Sequence, residues 1–139
     1  MQENTSANQM IDMFTYKTES TKSIDQIISK VPAACEENKF AILQTYVYHE
    51  IVESKGFPIK RKVYIYEICQ AKIAAAMLTS FPEFSIFMPC KIAVYEENEK
   101  TVITTMNMGI MLAAVSSNKE LFNEASTMFN NLKLMMNNL

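Results

Sequence analysis

Two periods of apolar side chains divide this chain, an alternation of two and a recurrence of three to four. Over residues 13–19, Met13, Phe14, Tyr16 and Thr18 mark an alternating stretch that predicts a first strand. Ser20 or Ser23 then offers an oxygen to free backbone N–H groups. Beyond it Ile24, Ile27, Ile28, Val31, Ala34 and Cys35 recur on one helical face. Pro32 lies inside that face, removes one donor and predicts a kink or a division. Residues 40–49, rich in Tyr, Ile, Val and Phe, predict a second strand, and Lys55-Gly56-Phe57-Pro58 a turn. A third strand covers 62–69, with Val63, Ile65, Glu67 and Cys69 on one side and Tyr64, Tyr66 and Ile68 on the other. Alanine-rich residues 70–79 predict a helix ended by Pro82.

A fourth strand is expected over 84–97, bent at Pro89, and Asn98-Glu99 turns it into a fifth over 100–106. Met111, Leu112 and Val115 open a last helical face, which Ser116-Ser117-Asn118 interrupts. Leu121, Phe122, Ala125, Met128, Phe129, Leu132, Met135 and Met136 continue it. The order is β-α-β-β-α-β-β-α. Its hairpins predict an α+β fold, a mainly antiparallel curved sheet with helices packed on one face. Residues 1–11 read as a flexible N-terminal arm and 12–139 as a single domain.

Composition narrows the function classes. The 139 residues carry 49% apolar and 20% charged side chains with a net charge of −2, which is globular and leaves no basic footprint for nucleic acid. The run Lys60-Arg61-Lys62 reads as a solvated strand entry. Gly56 and Gly109 stand alone, so no phosphate-cradling loop is expected. The uncharged stretch 101–118 contains Thr, Asn and Ser and is broken at Gly109, so no membrane span is expected. Two compartments stay open: cytoplasm if Met1 is the native start, periplasm if a signal peptide has been cut. Three cysteines, without C-x-x-C spacing, argue against a disulfide framework or a zinc knuckle.

Two blocks resemble the domain-of-unknown-function 302 family. Residues 67–74, with Cys69-Gln70-Ala71, resemble its Cys-Asn-Pro segment. Residues 82–96, with Met88-Pro89-Cys90-Lys91, resemble its Leu-Pro-Cys segment followed by a base and an alternating strand. The resemblance implies a TBP-like α+β fold, commonly a homodimer, and no established activity. The chain departs from the pattern at Gln70-Ala71, at Lys39 where a helix-ending glycine is usual, and at Asn107-Met108 in place of Asp-Pro.

Candidate chemistry gathers around the two strand cysteines. Parity places Cys90 with Ile86, Met88, Ile92 and Val94 on a core-facing row, so both thiols read first as small buried hydrophobes. The functional reading is a ligand site of Cys69, Met88, Cys90, Lys91 and Met106. There Pro89 frees backbone groups and Lys91 lowers the pKa of a neighbouring thiol, although Lys91 has the opposite parity. Met106, Met108 and Met111 cluster at the last strand-to-helix junction. Thioethers suit a soft metal or a haem iron, and equally fill gaps in a core.

Cys35 reads as packing. His49, the single histidine, reads as a strand-end surface residue, too few for a zinc site or a supported triad. Glu67 needs a partner if its strand face is buried. Tyr46, Tyr48, Tyr64 and Tyr66 predict an aromatic sheet face suited to a dimer partner. Three functions remain open: a dimeric binding module for a small molecule, haem or soft metal; a thiol-based redox or sulfur-handling enzyme using Cys90; and a purely structural or partner-binding dimer. The sequence leaves any cofactor unidentified.

Overall fold

The computed structural model describes residues 2–139, with side chains from residue 7 onward. Five strands form one antiparallel sheet: β1 (Thr15–Ser20), β2 (Ala41–Val47), β3 (Val63–Cys69), β4 (Cys90–Glu97) and β5 (Lys100–Met106), in the spatial order β1-β5-β4-β3-β2. Among the described residues six α-helices accompany them: α1 (Gln2–Phe14), α2 (Ile24–Glu37), α3 (Tyr48–Ser54), α4 (Ala71–Ser80), α5 (Gly109–Leu112) and α6 (Lys119–Asn137). The α+β class and the predominance of hairpins match the sequence pattern.

Helix α2 starts where Ser23 and Gln26 bond each other's backbone in a reciprocal capping box. Its buried stripe Ile24, Ile27, Val31 and Cys35 lies on the sheet. Pro32 does not divide it, since one lost hydrogen bond is outweighed by the buried face on either side. Its end explains the departure at Lys39. Phe40 N–H donates to the Cys35 carbonyl at 2.8 Å and Lys39 N–H to that of Glu36 at 3.1 Å, a Schellman closure with Lys39 at φ 64°. The buried Phe40 ring completes the motif.

The β4–β5 hairpin turns through Asn98 and Glu99, both at positive φ (52° and 64°), between the paired residues Glu97 and Lys100. This is the tight two-residue turn whose twist suits its strands. At the other end of β5, Asn107 takes over from the family's Asp-Pro. Its Oδ1 accepts the Gly109 N–H at 3.1 Å and its Nδ2 donates to the Met13 carbonyl.

The core lies between one sheet face and helices α2 and α6. Ile68, Ile92, Val94 and Ile103 point into it from the strands, and Leu121, Ala125, Phe129, Leu132 and Met136 from α6. Asn118 caps α6 by accepting the Leu121 N–H, which is why the apolar face breaks there.

Four local expectations are corrected. Among the described residues, those of the expected N-terminal arm lie within helix α1, and β1 begins at Thr15 because that helix runs through Phe14. The second strand stops at Val47. Tyr48 and His49 belong to α3, where His49 Nδ1 accepts the Val63 N–H at 3.0 Å. Residues Pro82–Phe87 form a 3-10 turn, and the strand starts only at Cys90, because Phe84 is drawn into the core. Ile86 is therefore 80% exposed and shares no row with Cys90. The tyrosines divide: Tyr66 is buried and Tyr64 packs on the core, whereas Tyr46 lies on the opposite sheet face and donates to Glu67 Oε1 at 2.7 Å. Among the described residues no helix is long and apolar enough to cross a membrane.

Candidate functional site

The site grows from a single pairing. Strands β3 and β4 run antiparallel with Ile68 opposite Cys90, so the end of one strand and the start of the other coincide. Cys69 and Cys90 thus leave the ladder at the same edge. From there the chain departs in two directions. After Gln70 it turns at once into α4; before Cys90 it arrives through the 3-10 turn, Met88 and a cis Pro89. These segments diverge from the sheet end and leave space beneath them. Helix α5 and the middle of α6 close that space from the core side.

The result is an apolar cavity of about 330 Å³. Cys69, Met88, Pro89 and Cys90 form its strand-side wall, and Ile73, Ala74, Met77 and Leu78 its α4 wall. Phe84 and Phe87 contribute from the turn, Met108, Met111 and Leu112 from α5 and its approach, and Ala125 and Met128 from α6. The two phenylalanines hold each other edge to face at 5.8 Å. Leu43 stands at the rim because the β2–β3 register shifts between Ile42 and Gln44, leaving the residue between them outside the ladder.

Of the expected site residues, the structure brings together Cys69, Met88 and Cys90. It leaves out Lys91 and Met106. Lys91 is exposed on the opposite sheet face, paired with Glu67, as strand alternation requires. Met106 pairs with Thr15 at the end of β5, is 44% exposed and does not reach the cavity. Its neighbours Met108 and Met111 do, together with Met77 and Met128, two helix residues whose meeting no local spacing announces.

The electrostatics favour neutral groups. Burial pushes the Cys90 thiol up to about 11, the neighbouring Cys69 raises it further, and the Lys91 charge pulls the other way with the smallest effect. Cys35 is buried on the inner face of α2 and burial holds its thiol at about 11 as well, in keeping with packing. His49 is turned to the Val63 backbone and against Tyr64, with ring centroids 5.3 Å apart, and lines no part of the cavity. Among the described residues no three His, Cys, Asp or Glu side chains converge as metal ligands.

Comparison with known proteins identifies relatives of uncharacterised role. No curated protein matches the chain. A solved structure, the crystal structure of uncharacterized conserved protein DUF302 from Bacillus stearothermophilus, is similar at 25% identity with a TM-score of 0.76, over 90% of this chain and 97% of that one. The family model described as Domain of unknown function DUF302 matches residues 16–139, which takes in all of the sheet but Thr15, both cysteine segments and every wall of the cavity. With the shared fold, that match shows that the chain belongs to the DUF302 family.

Proposed function

We propose that this chain is a binding module that holds a small molecule in the cavity beside Cys69 and Cys90. One observation carries the reading: an apolar space of about 330 Å³ whose side-chain walls bear no charge. That volume falls in the range of small-molecule sites, which are mostly apolar with few polar groups. Five methionines in the wall suit the role, because an unbranched thioether re-packs around different shapes.

The same geometry supports binding over thiol catalysis. A nucleophilic cysteine acts as its thiolate, and burial of Cys90 disfavours that form near neutral pH. It also supports a small molecule over haem, since the single imidazole is committed to Val63 elsewhere. The homodimer that the family resemblance implies belongs to the proposal. The sheet face opposite the core, with half-buried Ile65, Ala93 and Tyr95, is the surface a second copy would cover.

Ligand-observed NMR with naphthalene, an uncharged hydrocarbon of suitable size, tests the binding role. Saturable one-to-one binding is expected in the wild-type chain. Ala74→Phe, which fills the half-buried α4 wall, is expected to weaken it at least tenfold while leaving the fold's circular dichroism unchanged. Absence of saturable binding in the wild-type protein rejects the reading. Light scattering at micromolar concentration tests the assembly, with twice the chain mass expected.

A further inference from the structure

We infer that the ligand is an amphiphile, a medium-chain carboxylate whose tail fills the cavity and whose charged head lies outside it against Lys39 and Lys72; this rests on the binding role proposed for the cavity. The cavity does not stand alone. An open groove of about 600 Å³ lies beside it, between the start of α4 and the middle of α6. Gln70, Ile73 and Met128 line both spaces, so these three residues form the border between them. Met128 is an unbranched thioether that re-packs around different shapes, so the border yields to a hydrocarbon chain.

The two spaces differ in charge. No Lys, Arg, Asp, Glu or His lines the cavity. The groove carries Lys39, Lys72 and Glu124, two positive groups against one negative. Both lysines are exposed, and among the described residues neither is in a salt bridge. The neutral walls suit a tail that gains by leaving water. The wet groove keeps an anion hydrated while two ammonium groups attract it. The excess positive charge selects an anionic head over a cationic one.

Lys39 adds an independent observation. Its backbone sits at φ 64°, the left-handed region that glycine occupies with less strain. A strained position that carries a long cationic side chain points to a use for that side chain. The groove is where it lies.

Size limits the tail. A space of about 330 Å³ holds at most roughly eleven non-hydrogen groups at the ~30 Å³ that a water molecule occupies in the liquid, which describes a tail of about ten carbons.

Isothermal titration of the full chain at pH 7.5 with decanoate and decylammonium tests the inference, with naphthalene as a ligand that has no head. Decanoate is expected to bind one to one and at least tenfold tighter than decylammonium. Its affinity is expected to fall roughly threefold between 20 and 300 mM NaCl, as exposed charges are screened. Lys39→Gly combined with Lys72→Ala is expected to weaken decanoate about tenfold, each exposed ion pair being worth up to about fivefold, and to leave naphthalene unchanged. Lys39→Gly relieves backbone strain, so this variant is expected to keep the wild-type circular dichroism. Ala74→Phe, which fills the cavity, is expected to weaken decanoate as well.

Decylammonium binding as tightly as decanoate overturns the inference. So does a double variant that keeps full decanoate affinity, or decanoate binding that Ala74→Phe leaves untouched. If naphthalene binds and decanoate does not, only the amphiphile inference falls. If neither binds, the binding role itself falls with it.

Discussion

Cys90 sits directly across the β3–β4 ladder from Ile68, one step short of Cys69. Ile68 is completely buried, whereas both thiols are only partly so. The pairing therefore marks the point where the close-packed core ends and the cavity begins. It also ties the two family segments to one place in space, since each supplies one strand of the pair.

The protonation of Cys90 gives a chemical handle on that boundary. Its thiol lies at about 11 because of burial. Alkylation by iodoacetamide is expected to be slow at pH 7.5 and to rise about tenfold per pH unit between pH 7.5 and 9.5, following the thiolate fraction. Mass mapping of the labelled peptide measures it. A Cys90 rate that levels off by pH 8 contradicts the burial assigned to it.

Alkaline stability follows from the same kind of shift at three groups. Burial raises Cys35 and Cys90 to about 11 from 9.0, and Tyr66 to about 12 from 10.0. Each is an acid whose folded pKa exceeds its unfolded one, so the unfolded chain releases the proton first. The folded state then binds more protons than the unfolded state, and stability falls as pH rises. Urea midpoints are expected to hold steady with respect to these groups below pH 9 and to decline from there towards pH 12. Replacing Cys35 by Ala should shrink the decline while costing some stability at neutral pH.

At the end of α2, Lys39 holds a left-handed backbone, φ 64°, in a position built for glycine. A side chain there costs about 1 kcal/mol. Lys39→Gly is expected to stabilise the fold by roughly 0.5–1 kcal/mol, less than the full amount because glycine also gains freedom in the unfolded chain. Chemical denaturation reads this directly, and a destabilised variant would show that the Lys39 side chain contributes more than its backbone strain removes.

Leu132 and Leu134 separate packing from propensity on one helix. Leu132 is fully buried and Leu134 is 60% exposed. Leu132→Ala is expected to cost about 2–5 kcal/mol by lost burial and cavity formation. Leu134→Ala should change stability by no more than about 0.5 kcal/mol. Equal effects would place the α6 stripe on the wrong face.

Much of the fold is a local property and could be read along the chain. The alternation in β3, the tight turn leading into β5 and the long stripe of α6 predict their elements closely, because turns and the strand and helix periods depend only on neighbours a few residues apart. The turn at Asn98-Glu99 and the cap at Ser23 are equally local. Elements without a strong period are not legible in this way. Among the described residues helices α1 and α3 carry no buried stripe, and residues 84–87 look like a strand until Phe84 finds its place in the core.

The two cysteine segments could be picked out by their motifs, and strand parity already set Lys91 against the site. Only the tertiary structure decided what surrounds Cys90. It exchanged Met106 for Met108 and Met111 and added Met77, Met128 and Gln70 from separate elements. A cavity is the volume that packed elements fail to fill, and its walls come from residues tens of positions apart. The period of each element says which side faces inward; how closely those sides meet depends on all the others at once.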